Sequence, residues 1–449
     1  MENKLSKIGS LLGIQVEKES SIQKCQIDSR QLGPGDLFFA IKGQTVDGHQ
    51  FLEVVAKKGA VGAVVSKSYQ GEAFGLQLFR VEDVEKTLHQ LAKEFFRKRS
   101  EKVVAITGSM GKTTTKEFLA CLLSARYRVG KTPGNHNTQL TVPLTLLNLE
   151  DELDILVLEM GMSRQKEIAK LVQLAPPDLA IITRIAPAGI EGFVGGFEAV
   201  AKAKAEIFSH PATKWGVISA QAADFSEVLY AGGVPKRIYG WKKHLSDPRV
   251  ADFVMEEKNH GLIIHEPDGS KSPPIGLSFE ATHIQENFLA AASAARMLGV
   301  SWEEIRQKAK ELKPFPKRFE KIERDGITFI QDCYNANPDS VLAALENLPK
   351  PAEGGKVVGV LGSMPDLGQY ASHYHHRVGE WARGRLDCLL SIGEEAKGIQ
   401  TTFSTKGKKG EHFSSLSSVQ EALDRLLKPG DVVLIKGGNG LKLWELLEK

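Results

Sequence analysis

The chain has 449 residues, 42% apolar and 25% charged, with a formal net charge of +3. That length exceeds one ordinary core, so two or three domains are expected, and so small a charge excludes a general nucleic-acid binder. No apolar run approaches the roughly 20 residues that cross a bilayer, and Cys25, Cys121, Cys333 and Cys388 lie too far apart for a CxxC zinc site or a disulfide framework. The opening "MENKLSKIGSLLGIQ" has no secretory apolar region, so a cytoplasmic enzyme is expected.

In chain order, "DLFFAIKG" and "GAVGAVVS" predict strands of a small mixed α/β unit. The charged stretch "FFRKRSEK" then precedes an apolar "VVAIT", which sets a boundary near Lys102. From there short apolar runs alternate with amphipathic stretches: "VVAIT" then 114–127, "DILVLE" then 165–175, "LAIIT" then 198–209. That alternation predicts βαβ units on a mostly parallel sheet. The prolines of "ELKPFPKRFEK" mark a second boundary, and "ITFIQD", "VVGVLG", "CLLSIG" and "DVVLIKGG" predict another parallel sheet. The predicted domains are 1–100, 101–313 and 314–449, in an α/β chain without internal repeats.

The stretch "TGSMGKTT" joins the strand "VVAIT" to a helix. Gly108 and Gly111 allow a tight turn, and Ser109 and Met110 complete the loop between them. Lys112 adds a cation, and the helix N-terminus offers free N–H groups to an anion. Thr113 and Thr114 open that helix, and the Thr113 hydroxyl is placed to meet Mg²⁺. The longer GxxxxGK[ST] pattern fails, because Ile106 stands at the first glycine position; what remains is G-x-x-G-K-T-T. Glu159 ends the strand "DILVLE" at the same edge of the sheet, where a hard oxygen ligand suits Mg²⁺. In "EAVAKAKAEIF", Lys204 shares a helical face with Val200, Ala203, Ile207 and Phe208, whereas Lys202 points away. A buried Lys204 needs a lowered pKa, a partner or a changed chemical form. Asn337 is expected to cap a helix that starts at Pro338.

"TGSMGKTT" resembles the ATP loop of the Mur ligases and of folylpolyglutamate synthases. "IQDCYNANPDSVLAALENL" resembles the D-x-YNANP-x-S segment of the MurF type, and the DNPR motif of the MurE type is absent. "DSRQLGPGDLFFAIKGQTVDGHQF" is similar to the UDP-sugar segment of MurE and MurF. The resemblance covers the whole chain. It implies a P-loop central domain and a Rossmann-like C-terminal domain behind a small N-terminal α/β domain. It further implies an ATP-dependent ligase joining D-alanyl-D-alanine to UDP-N-acetylmuramoyl-tripeptide through an acyl phosphate, in peptidoglycan precursor synthesis. A monomer using ATP and Mg²⁺ is expected.

Carried over position by position, the resemblance places Asn287 on adenine and Arg318 near the nucleotide phosphates. Asp332, Tyr334 and Asn335 fall on a loop closing over ATP. Ser29, Arg30 and His49 fall on the UDP-sugar, and Asn135 and Asn137 in a substrate loop. Lys112, Glu159 and Lys204 form the catalytic set, with Thr113, Glu159 and a carbamylated Lys204 toward Mg²⁺. Four positions depart from the family pattern: Thr138 and Arg184 replace asparagines, Gly189 a metal-binding histidine, and Asn439 an arginine. Two other readings follow from this: a related ligase with another acceptor, and a nucleotide- or muropeptide-binding protein without catalysis.

Overall fold

A computed structural model describes residues 4–43, 45–150, 152–193, 195–258 and 261–448. Among them the strands form three sheets. The first runs β1 (Cys25–Gln26), β2 (Leu37–Phe39), β3 (Gly62–Ser66) and β4 (Gln77–Val81), in that order and all parallel. Phe38, Phe39, Val64 and Phe79 are buried, so these short strands read as apolar runs covered on both faces.

The central sheet contains β5 (Lys102–Thr107), β6 (Val129–Lys131), β7 (Ile155–Glu159), β8 (Leu179–Ile182), β9 (Trp215–Ser219), β10 (Lys236–Trp241), β11 (Phe253–Lys258) and β12 (Gly261–His265). Their spatial order is β12-β11-β10-β9-β8-β5-β7-β6, and only the β11–β12 pair is antiparallel. β5 lies mid-sheet, so the loop after it opens at the carboxyl edge, where ligands bind in such sheets. The helix after that loop, Lys112–Leu123, buries Phe118, Leu119, Leu122 and Leu123. It packs beside Thr282–Met297, whose buried Ala290, Ala291, Ala292, Ala294 and Ala295 combine high helix propensity with little bulk.

The third sheet is β13 (Glu320–Arg324), β14 (Ile327–Gln331), β15 (Val357–Gly362), β16 (Cys388–Ile392), β17 (Lys409–Phe413) and β18 (Val432–Lys436), ordered β13-β14-β18-β15-β16-β17. β13 alone is antiparallel to its neighbour.

The N-terminal unit is fastened to the central one by packing and by polar contacts. Leu88, Leu91 and Phe95 of the helix Val84–Phe96 share a core with Val142 and Leu146. Asn148 bonds the Cys25 backbone twice, accepting from its N–H at 2.7 Å and donating to its carbonyl at 2.8 Å. No described helix is long and apolar enough to cross a membrane.

Candidate active site

The carboxyl edges of the central and C-terminal sheets face each other across a cleft. Its walls are the loop Ser109–Thr114, Asn135, Asn137 and Glu159 on one side and Arg318, Asp332–Asn337 and Lys436 on the other. The glycines of the P-loop are required by geometry. Gly108 has φ +152°, and a Cβ there would lie 1.9 Å from Thr183 Oγ1; Gly111 has φ +83°, and a Cβ there would lie 2.3 Å from Asn287 Oδ1. The segment after β8 buttresses the loop. Ser109 N–H donates to the Arg184 carbonyl at 2.7 Å, its hydroxyl to the Ala186 carbonyl at 2.8 Å, and Thr183 Oγ1 to the Met110 carbonyl at 2.6 Å.

Several polar groups here are buried with bonds unmade. Lys112 Nζ donates back to the Gly108 carbonyl at 2.8 Å. Burial lowers its pKa, Glu159 opposes that shift, and Arg318 adds to it. Arg318 donates to Thr113 Oγ1 at 3.2 Å and stacks 4.2 Å over the Tyr334 ring, while its Nε has no partner. Burial also lowers the Arg318 pKa, against the pull of Glu159 and Asp332. Two desolvated cations with spare donors at a helix N-terminus form a receptor for phosphate oxygens.

Glu159 is 1% exposed. Its Oε1 accepts from Asn137 Nδ2 at 2.7 Å, and its Oε2 is buried without a hydrogen bond. That oxygen and the Thr113 hydroxyl fit a hard divalent cation. No described group of three or more His, Cys, Asp or Glu residues gathers to hold a metal, so the remaining oxygens would come from water and a phosphate ligand.

Lys116, which sequence reasoning passed over, organises this wall. It is fully buried and donates to the carbonyls of Thr132, at 2.8 Å, and Gly134. Its ammonium stands 3.7 Å from Glu159 Oε2. The signal was its place four residues after Lys112, on the same helix face. Lys436, also passed over, pairs with Asp332 Oδ2 at 2.7 Å and donates to the Asn335 carbonyl at 3.2 Å. With Phe319 N–H on Oδ1 at 3.2 Å, both Asp332 oxygens are taken. Asp332 therefore shapes the Tyr334–Asn335 loop, and its carboxylate is not a free ligand. Asn439, standing for the family arginine, donates to the Tyr334 carbonyl at 3.0 Å and steadies the same loop. Asn337 caps the helix Pro338–Glu346 as expected, with Ser340 completing a capping box.

Lys204 is 4% exposed, and among the described residues it has no hydrogen-bond or ion-pair partner. Burial, reinforced by Lys112, pushes its pKa well below the ordinary lysine value. Lys202 is exposed, as the helical spacing predicts. Gly189 sits in a left-handed turn, φ +67°, with nothing within 4 Å of where its Cβ would lie. A second cleft continues past Met110, His283 and Asn287 and is lined by Arg184, Tyr239, Trp241, Glu286 and Asp339.

The N-terminal candidates do not meet in one pocket. His49 lines a pocket with Ser66, Tyr69 and Glu82, which Ser29 and Arg30 do not reach. Its Nδ1 bonds Asp47 at 2.6 Å, its Nε2 accepts from Ser66 N–H at 2.9 Å, and its ring stacks on Tyr69. No ring nitrogen is left for a ligand. Arg30 is bidentate to Asp28, at 2.9 and 2.8 Å, and Lys58 holds the Ser29 carbonyl at 2.8 Å.

A P-loop central domain facing a Rossmann-like domain, with spare cationic donors in the cleft between them, fits a nucleotide-dependent enzyme. The family models match in three blocks: Mur ligase family, catalytic domain, over 21–96; Mur ligase middle domain over 106–295; and Mur ligase, glutamate ligase domain, over 317–439. The chain belongs to the Mur ligase family. It is 33% identical to the UDP-N-acetylmuramoyl-tripeptide–D-alanyl-D-alanine ligase of Treponema pallidum, covering 93% of this chain and 92% of that protein. The Bacillus subtilis protein of the same name is 31% identical, over 98% and 95%. Among solved structures, MurF from Acinetobacter baumannii superposes with a TM-score of 0.84 at 27% identity, over 98% and 97%. The Thermotoga maritima MurF ligase in complex with ADP superposes at 0.76 with 30% identity, over 95% and 96%.

Proposed function

We propose that the chain is an ATP-dependent amide ligase that adds D-alanyl-D-alanine to UDP-N-acetylmuramoyl-tripeptide in peptidoglycan precursor synthesis. The observation that carries this is the cleft itself, where Lys112, Arg318 and the P-loop offer unspent donors to phosphate beside a buried, half-bonded carboxylate. Full-length relatives of that name at 31–33% identity supply the substrate class.

In this reading the P-loop N–H groups, Lys112 and Arg318 bind the β- and γ-phosphates of ATP. Asn287 and the second cleft receive adenine, and the Arg318–Tyr334 stack fixes the guanidinium at the phosphates. The tripeptide carboxylate attacks the γ-phosphorus to give an acyl phosphate and ADP. The amine then attacks the acyl carbon, and phosphate leaves. The carboxylate must be activated first because oxide is a poor leaving group. Lys112 and Arg318 stabilise the charge that develops during transfer. Mg²⁺, held by Thr113 and Glu159, would neutralise phosphate charge when bound.

We assign Lys204 to the same set. Its buried amine has no counter-charge, and its neutral form adds to CO₂ with loss of a proton to give a carbamate anion, which restores charge balance beside Lys112. Residues 1–100 hold the UDP-sugar in this reading, 101–313 ATP and 314–449 the amine.

An amine screen tests the assignment. With ATP and UDP-N-acetylmuramoyl-tripeptide, D-alanyl-D-alanine should give the fastest ADP release. Faster ligation of a free diamino acid to the corresponding dipeptide precursor would place the chain in another branch of the family. ATP binding without ligation of any amine would support the non-catalytic reading.

A further inference from the structure

The reaction unites two anionic substrates with a third that arrives as an ammonium, and the cleft must hold all three. Its lining carboxylates are Glu159, Asp332 and Asp366. Glu159 is bonded by Asn137 and faces Lys116. Asp332 is closed off by Lys436 and the Phe319 amide. Asp339, in the adjoining cleft, has Arg184 and Arg377 near it. Of the three that line the cleft, Asp366 alone is exposed, and its carboxylate has no hydrogen-bond or ion-pair partner among the described residues.

Its placement is also constrained. Asp366 has φ +61°, a left-handed conformation that aspartate tolerates better than most side chains. Its carbonyl accepts from Glu191 N–H at 3.2 Å, and Gly368 lies close against the Glu191 side chain. The C-terminal turn that bears Asp366 is thus tied to the central-domain turn Ile190–Gly192, which leads into the helix bearing Lys204. The carboxylate stands where the two domains touch, in the cleft that the P-loop and Glu159 also line.

We propose that Asp366 receives the ammonium of the amine substrate and sets its position for attack on the acyl phosphate. This rests on the ligase reading above. The role is binding: Asp366 holds the incoming amine, and one ammonium proton passes to solvent before the nitrogen attacks.

The test is steady-state kinetics of the full chain with each substrate varied in turn, for wild type, Asp366→Asn and Asp366→Glu. Loss of one charge-assisted hydrogen bond corresponds to about a 10–100-fold effect. Asp366→Asn should raise the KM for D-alanyl-D-alanine by that factor, leave the KM values for ATP and UDP-N-acetylmuramoyl-tripeptide within about twofold, and keep the wild-type circular dichroism. Asp366→Glu should recover part of the loss. An unchanged amine KM, or an equal rise for all three substrates, overturns the assignment while leaving the ligase reading intact. A wild-type chain that ligates no amine overturns both.

Discussion

At the cleft between the central and C-terminal domains, Arg318 Nε and Glu159 Oε2 are buried without hydrogen bonds, and Lys204 is buried without a counter-charge. In the N-terminal domain the opposite holds: both ring nitrogens of His49 and the fork of Arg30 are already bonded within the chain. A buried polar group left unpaired costs about 1–3 kcal/mol. A fold that keeps several at one edge is organised around atoms a ligand brings. Arg30 is exposed and the half-buried His49 ring is fully bonded, so neither carries such a cost, and their bonding reports local order as readily as recognition.

The largest effect that would break this contrast is at Lys112. Lys112→Ala should lower kcat by roughly 10²–10³, the loss of one preorganised donor, with an unchanged thermal midpoint because its ammonium bonds only its own loop. Near-normal turnover at saturating ATP would remove Lys112 from the phosphate site. Next comes Lys204. Lys204→Ala should lose about tenfold or more in rate without unfolding, and added short carboxylates should restore part of it. Activity equal to the parent would exclude a catalytic role; loss without rescue would argue against the carbamate.

Lys116 sharpens the contrast, because it is a fully bonded cation inside the under-bonded wall. Lys116→Met orphans the Thr132 and Gly134 carbonyls, so stability should fall by about 2–3 kcal/mol, with faster amide exchange across 132–137. Unchanged exchange there would show that the loop holds itself. In the N-terminal domain, His49→Ala should cost about 1 kcal/mol and shift the KM for the UDP-substrate less than about threefold. A larger shift would mean that His49 releases its internal partners for the ligand. Arg30→Ala should leave stability unchanged, so any rise in that KM reports contact with the substrate.

A pH dependence is also expected. Burial pushes His283 down to about 4, below the 6.5 of an unfolded histidine. The unfolded chain therefore binds the extra proton, and stability should decline as pH falls from about 6.5 toward 4. His283→Gln should show a shallower decline of the thermal midpoint over that range; an identical slope would mean that His283 does not contribute.

Much of the cleft was legible because its signals are local. Gly108, Gly111, Lys112 and Thr113 sit within one strand–turn–helix, and Asn337 carries its cap in sequence. The helix periodicity that set Lys204 apart from Lys202 also holds in three dimensions, although the helix there is Gly196–Ala205 with a 3₁₀ turn beyond it. What stayed hidden depends on distant partners. Asp332 looks like a ligand until Lys436, 104 residues on, is seen to occupy it. Lys116 looks like a surface lysine until the Thr132 and Gly134 carbonyls close around it. The strands β10 and β11 went unread because polar residues interrupt the apolar run in "KRIYGW" and "FVMEEK".

The most direct measurement is product analysis with the purified full chain, ATP, Mg²⁺, UDP-N-acetylmuramoyl-tripeptide and D-alanyl-D-alanine. The account predicts one ADP and one phosphate released per UDP-N-acetylmuramoyl-pentapeptide formed, with no pentapeptide when ATP or the dipeptide is omitted. ATP hydrolysis at the same rate with no pentapeptide in the mass spectrum would contradict it.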